Sequence, residues 1–229
     1  MSITVKWYGH GTYGLDVGPH KIIIDPFFAP SNPAAPVSVD EVEADFILVT
    51  HGHGDHVTDA LALAKRTGAL VISNFEICNW LGRQGHENTH GMNIGGGYQF
   101  DFGRAEMTLA LHSSGLPDGT YGGNPAGFLI LAENRKVYFS GDTALFSDMK
   151  LIGDEGLDLA VLHIGDNFTM SPDASLKAIE FLRPKVVIPG HYDTWPIVEQ
   201  DVSAWEKRVR EATDAEPVVL SVGESYTVS

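Results

Sequence analysis

Thr50-His51-Gly52-His53-Gly54-Asp55-His56 follows directly on the apolar run Phe46-Ile47-Leu48-Val49. The four apolar residues read as a short buried strand, and Thr50-His51 begins the loop behind it. That loop carries His51, His53, Asp55 and His56, four metal-type donors within six residues. A strand end fixes where such a loop sits, while Gly52 and Gly54 let the backbone fold sharply enough for the side chains to converge. His51 and His53 lie two apart and can point toward one ion. Asp55 and His56, on the following turn, can face a second. A lone histidine in a surface loop is commonplace, but this density with this glycine spacing is the strongest signal in the chain.

Two ions need about seven or eight ligand positions, so further donors are expected at other strand ends. His112 follows the strand-like Ala105–Leu111 and precedes Ser113-Ser114-Gly115. Asp142 lies in Ser140-Gly141-Asp142-Thr143, just past Lys136–Phe139. His191 lies in Pro189-Gly190-His191-Tyr192, past Val186–Ile188. Each stands where an apolar strand gives way to glycine or serine. Singly any of them is an ordinary loop residue; together, in this order, they form a ligand set.

The rest of the chain supports a layered α/β protein. Ile3–Trp7, Thr12–Val17 and Ile22–Ile24 read as antiparallel strands, with a turn at Gly18-Pro19-His20 and a stop at Asp25-Pro26. Residues 26–38 hold four prolines and read as an irregular loop. Thr58-Asp59 predicts a helix to about Lys65, Ala69–Ile72 a buried strand, and Phe75 to about Arg83 a further helix. Tyr98–Phe102, Gly127–Ala132 and Lys136–Phe139 make the middle β-rich. Strands at Leu159–Leu162, Val186–Ile188 and Val218–Leu220 alternate with helices from Ser171-Pro172 and from Val198 to about Ala212. Two β-then-α halves imply stacked sheets with helices on both outer faces, in a single domain over residues 1–229.

Composition narrows the chemistry. Fifteen Lys and Arg against thirty Asp and Glu give a net charge of −15, which argues against a polynucleotide partner. Ten His beside one Cys mean that any metal is held by nitrogen and oxygen. A single Cys also excludes an intramolecular disulfide. No run approaches the ~20 apolar residues of a membrane span, and Met1–Lys6 shows no basic segment leading into an apolar one. A soluble, cytoplasmic protein with no nucleic-acid or membrane partner is expected.

With the motif His51-Gly52-His53-Gly54-Asp55-His56 followed by His112, Asp142 and His191, the sequence resembles the metallo-β-lactamase superfamily along nearly its whole length. The resemblance implies a four-layer αββα sandwich with a dinuclear metal site along one edge of the two sheets. It implies that His51, His53 and His112 hold the first ion, that Asp55, His56 and His191 hold the second, and that Asp142 bridges them. The penicillin-destroying branch uses a cysteine ligand, whereas Cys78 matches no motif, which separates this chain from true β-lactamases. Trp7-Tyr8-Gly9-His10-Gly11-Thr12, Gly165-Asp166-Asn167-Phe168-Thr169-Met170 and Pro189–Pro196 resemble a narrower group. These are the uncharacterised bacterial metal-dependent hydrolases related to ascorbate-6-phosphate lactonase. Homo-oligomers are common among relatives of this kind.

Two divalent cations about 3.5–4 Å apart share a water and lower its pKa toward ~7, giving a metal-bridging hydroxide as nucleophile. The expected activity is therefore lactonase-like hydrolysis of an ester, lactone or related bond in a small-molecule substrate. Zinc suits the nitrogen-rich set; manganese and iron are the alternatives. Asp55 and His10 are the catalytic candidates. His10, between two glycines after the first strand, has either a role beside the metals or in proton transfer, or that of a core histidine. His163 is a weaker candidate, because the related group commonly has another residue there. Asn167, Tyr192 and Thr194 are pocket candidates; Phe27-Phe28 reads as an apolar anchor. His20, His86 and His90 read as structural or solvated. The rivals are a phosphodiesterase or ribonuclease of the same superfamily, a di-iron redox protein and a non-catalytic metal-containing binding module.

Overall fold

The computed structural model describes residues 2–228. The strands are β1 (Ile3–Trp7), β2 (Tyr13–Val17), β3 (His20–Ile24), β4 (Phe46–Leu48), β5 (Leu70–Asn74), β6 (Thr89–Met92) and β7 (Gly97–Phe100). They continue with β8 (Gly103–Leu109), β9 (Ala126–Ala132), β10 (Arg135–Phe139), β11 (Leu159–His163), β12 (Val186–Gly190), β13 (Glu216–Pro217) and β14 (Ser225–Val228). One sheet has the order β14-β1-β2-β3-β4-β5-β6, the other β13-β12-β11-β10-β9-β8-β7. The helices are α1 (Gly54–Val57), α2 (Ala60–Thr67), α3 (Phe75–Arg83), α4 (Met149–Gly153), α5 (Pro172–Leu182) and α6 (Val202–Ala212).

Alternation along the strands divides the core into layers. In β3, Ile22 and Ile24 join the cluster between the sheets with Phe128, Ile130 and Phe139. Ile23, pointing the other way, packs with Leu63, Ala64, Ile77 and Leu81 of α2 and α3. The same split separates Phe46 and Leu48 from Ile47. A period of two with both faces apolar requires cover on both sides of the sheet. Helices α2 and α3 cover the first sheet, and α5 and α6 contact the second. The architecture is an αββα sandwich.

Strands β3 to β6 run parallel, as do β10 to β13. Their carboxyl ends share one edge with the end of β8 and the β1–β2 turn, the place where open α/β sheets hold ligands. Several local outcomes differ from the sequence expectation. The strand expected at 218–220 is pairing at Glu216–Pro217, with the Val218 amide still donating to Val187. The last helix starts at Val202, because Asp201 caps it by accepting from the Ala204 amide. Thr89–Met92, to which the sequence reading assigns no element, is strand β6; the His90 ring there lies tilted against Tyr98, with centroids 4.4 Å apart, and buried His86 bonds the Ala69 and Asn88 carbonyls. Among the described residues no helix is long and apolar enough to cross a membrane.

Candidate metal centre

All seven sequence-designated ligands converge at that edge. His51 Nε2 and His112 Nε2 lie 3.1 and 3.2 Å from His53 Nδ1. A tetrahedral ion with bonds of ~2.1 Å would set its donors ~3.4 Å apart, so three converging lone pairs at this spacing suit a metal. A second group gathers Asp55, His56 and His191, with His10 among them. Asp142 Oδ2 stands between the groups. It is 3.9 and 3.5 Å from Nε2 of His51 and His112, and 3.4 and 3.3 Å from Nε2 of His56 and His191.

A single turn, α1, sets the geometry of the motif. His53 is its N-cap residue, and the turn swings Asp55 and His56 away from His51 and His53 toward the second group. Gly11 makes room for this: a Cβ there would come within 2.8 Å of His56 Cε1. Gly165 does the same for His191, whose carbonyl oxygen would be 2.1 Å from an added Cβ. His10, Asp25 and His191 have φ of 55°, 50° and 58°, a left-handed backbone that locates strain at the site.

Buried hydrogen bonds fix which ring nitrogen each histidine presents. Asp25, at the end of β3, accepts at Oδ2 from His56 Nδ1 (2.8 Å) and from the Thr50 hydroxyl (2.6 Å). Its Oδ1 accepts from the Thr50 amide at 2.7 Å. Because the Thr50 hydroxyl proton is committed to Asp25, its oxygen accepts from His51 Nδ1 at 3.0 Å. One carboxylate therefore turns Nε2 of both His51 and His56 toward the centre, directly for one and through a hydroxyl for the other. His163 Nδ1 donates to Asp142 Oδ1 at 2.6 Å, which leaves Oδ2 free to face the four imidazoles. His53 Nε2 meets the Ser113 hydroxyl at 3.1 Å.

Without bound metal the carboxylates hold positive charge in the second group. Burial opposes protonation of His56, yet Asp142, Asp25 and Asp55 outweigh it and keep its pKa well above the imidazole norm. Against the same burial, Asp142 and Asp55 raise His191 to about 9. Asp142 stays far below the carboxylate range despite its burial, held there by His191 and His56. In the first group, burial lowers His51, His53 and His112. His56 Nε2 and His191 Nε2 are buried with no hydrogen-bond partner. Cations would satisfy those orphaned nitrogens and replace the protons, so the residues fit metal.

The sequence model of the beta-lactamase superfamily domain matches residues 20–192. A UPF0173 metal-dependent hydrolase of Heliobacterium modesticaldum is 46% identical over 233 residues, covering 98% of this chain and 97% of its own length. Another from Thermus thermophilus is 50% identical over 209 residues, covering 91% and 92%. The chain belongs to the metallo-β-lactamase superfamily. It is a metal-dependent hydrolase of that superfamily. Igni18, described as a novel metallo hydrolase from Ignicoccus hospitalis, superimposes with a TM-score of 0.90 at 33% identity, covering 100% of this chain and 99% of that one.

The other designated residues of this hydrolase take varied positions. His10 is fully buried; Nε2 meets Asp55 Oδ2 at 2.9 Å and Nδ1 meets the Thr194 hydroxyl at 2.8 Å. Burial and the adjacent His191 lower its pKa to about 3, so a neutral ring donates to Asp55 and accepts from Thr194. Tyr192 stacks on Trp7 in the core, whereas Asn167 is exposed. Phe27 and Phe28 are buried, Phe27 against His10 and Trp195. Cys78 lies in α3, and burial pushes its thiol up to about 11. Asp25, Thr50 and Ser113 were not singled out from sequence. Asp25-Pro26 reads there as a strand stop, and only the parallel pairing of β3 with β4 puts its carboxylate beside Thr50.

Proposed function

We propose that the two donor groups form a dinuclear centre, loaded with zinc, that hydrolyses an ester, lactone or related bond in a small molecule. The position of Asp142 Oδ2 carries this: it lies 3.3–3.9 Å from imidazole nitrogens of both groups, as a bridging carboxylate requires. Divalent ions held there supply Lewis acidity and lower the pKa of water toward ~7, making a Ser or Cys nucleophile unnecessary.

The side chains define the rest of the work. His163 fixes the rotation of the Asp142 carboxylate, so that one oxygen serves both groups. Asp25 sets the tautomers of His51 and His56. His10 holds Asp55 in place and, with both nitrogens engaged and a low pKa, acts on that carboxylate rather than as a free proton carrier. The net charge of −15 favours a small molecule over a polynucleotide.

Elemental analysis of the purified chain, with an ester, lactone and phosphodiester panel, tests the proposal. Two ions per chain and ester or lactone turnover that disappears with a chelator are expected. Less than one ion after supplementation, or turnover confined to phosphodiesters, would overturn it.

A further inference from the structure

Strand direction assigns every connection of the sandwich to one of its two ends. Residues 8–12, 25–45, 49–59, 93–96, 110–125, 140–148, 164–171, 191–201 and 218–224 leave strands at, or enter them from, the edge where His51, Asp142 and His191 meet. None of the fifteen Lys and Arg of the chain falls in these segments. Cations gather at the opposite end, tied to acids: Arg135 and Lys185 to Asp158, Lys136 to Glu155, Arg183 to Asp154. Arg208, which reaches the first turn of α5, is paired with Asp173.

The main-chain route to anion binding is restricted as well. Helix N-termini bind phosphate through free amides, but at this end α3, α5 and α6 are capped from within, and α1, α2 and α4, which have no side-chain cap, carry Asp55, Asp59 and Asp148 at their starts. Asn74 accepts from the Ile77 amide at the start of α3, Ser171 from Ala174 at α5 and Asp201 from Ala204 at α6. The first residue of α5 is Pro172, which has no amide hydrogen. The loops following β11 and β12 instead bring Asp166, Asp193 and Glu199.

The same two loops expose large apolar side chains. Phe168 is 51% and Ile197 56% exposed. The Phe168 loop is seated against the ligand loop at Gly165, where there is no room for a Cβ beside His191. The Ile197 loop runs on from His191 through Trp195, whose ring lies 4.8 Å from that of His10.

We propose that the substrate carries no anionic group away from its scissile bond, being an uncharged ester or lactone whose apolar body rests on Phe168 and Ile197. This rests on the hydrolase function proposed above. Bound metals would serve the scissile oxygen, so a remote carboxylate or phosphate needs a clamp of its own, and such clamps are built from Arg, Lys or free amides. Here a remote anion would meet acidic neighbours, and like-charge juxtaposition is costly.

Two probes of matched length test this with the metal-loaded full chain: p-nitrophenyl hexanoate and the p-nitrophenyl monoester of adipic acid, which ends in a carboxylate. The neutral ester should show at least about tenfold higher kcat/KM. That gap should narrow as salt shortens the Debye length from ~30 Å to ~3 Å. Phe168→Arg should raise kcat/KM for the adipate ester and lower it for the hexanoate, with metal content and oligomeric state unchanged. Equal or better turnover of the adipate ester by the unaltered protein would overturn the proposal, as would a salt-independent gap. If Phe168→Arg slows both probes alike and dissociates an oligomer, Phe168 lies between copies of the chain and the apolar rest is wrong. Turnover of neither probe, nor of any ester or lactone, would instead defeat the hydrolase function, and this proposal with it.

Discussion

The two donor groups are built from similar ligands but set in different surroundings. His51, His53 and His112 are supported by hydroxyls, those of Thr50 and Ser113, and two of the three side chains reach solvent. Asp55, His56 and His191 are supported by the carboxylate of Asp25 and the ring of His10, and both imidazoles are buried. The first group is thus neutral and accessible without metal. The second stores positive charge against carboxylates, as a cation site does when protons stand in for the metal. An ion entering the first group displaces little; one entering the second must displace protons.

Removing the part common to both groups should have the largest effect. Asp142→Ala is expected to lower kcat/KM by about a thousandfold or more, with bound metal falling below two ions per chain by elemental analysis. Retention of both ions would break the symmetry argued for Asp142 Oδ2.

Proton displacement gives the next largest effect and separates the groups. His191 titrates near 9 without metal, above the ordinary ~6.5. Its raised pKa adds stability to the metal-free fold below pH ~6.5, and that contribution is lost as pH rises through about 9. Metal competes for the same nitrogen, so affinity of the second group should rise with pH by up to about tenfold per unit per proton released between those limits. The first group, with its lowered pKa values, should show a flatter profile there. Competition titrations with a chromophoric chelator at several pH values would check both.

Substitutions behind the ligands should have smaller effects. Asp25→Asn is expected to weaken metal binding about 10–100-fold, and in both groups, since Asp25 orients His56 directly and His51 through Thr50. An effect confined to one group would show that the hydroxyl relay does not matter. His163→Leu should cost a similar factor, whereas His163→Asn should recover most of it, because its amide N–H lies near the position of Nδ1. Equal losses in the two variants would reduce His163 to packing. Ser113→Ala, which removes one bond to His53 at the exposed side, should cost only about 1 kcal/mol, or about fivefold in affinity at the first group.

What was legible in the sequence follows the physics of strand ends. His51, His53, Asp55 and His56 could be singled out because they crowd one loop behind an apolar strand, and His112, Asp142 and His191 because each stands where an apolar run meets glycine or serine; both signals are local. The layering was legible in the two β-then-α halves of the chain, and the αββα sandwich itself in the family resemblance that the histidine motif carries. The partners behind the ligands depend on register between strands distant in sequence. Asp25 reaches His56, thirty-one residues on, only because β3 and β4 lie side by side. Helix α1 is a single turn, too short for a 3.6-residue period to register. Strand β6 and strand β14 carry polar residues at sheet edges, where alternation is weak.

Asp25 has a thermodynamic consequence beyond orientation. Its two oxygens are shared among Thr50, through which it reaches His51, and His56, so the scaffold behind one ion cannot be ordered without ordering the scaffold behind the other. The first metal to bind meets part of the conformational cost of the second. Linkage makes that help mutual: whatever one ion contributes to the affinity of its neighbour, the neighbour returns in equal free energy. Loading should therefore be cooperative, and partial chelation should give fewer half-filled chains than two independent sites would.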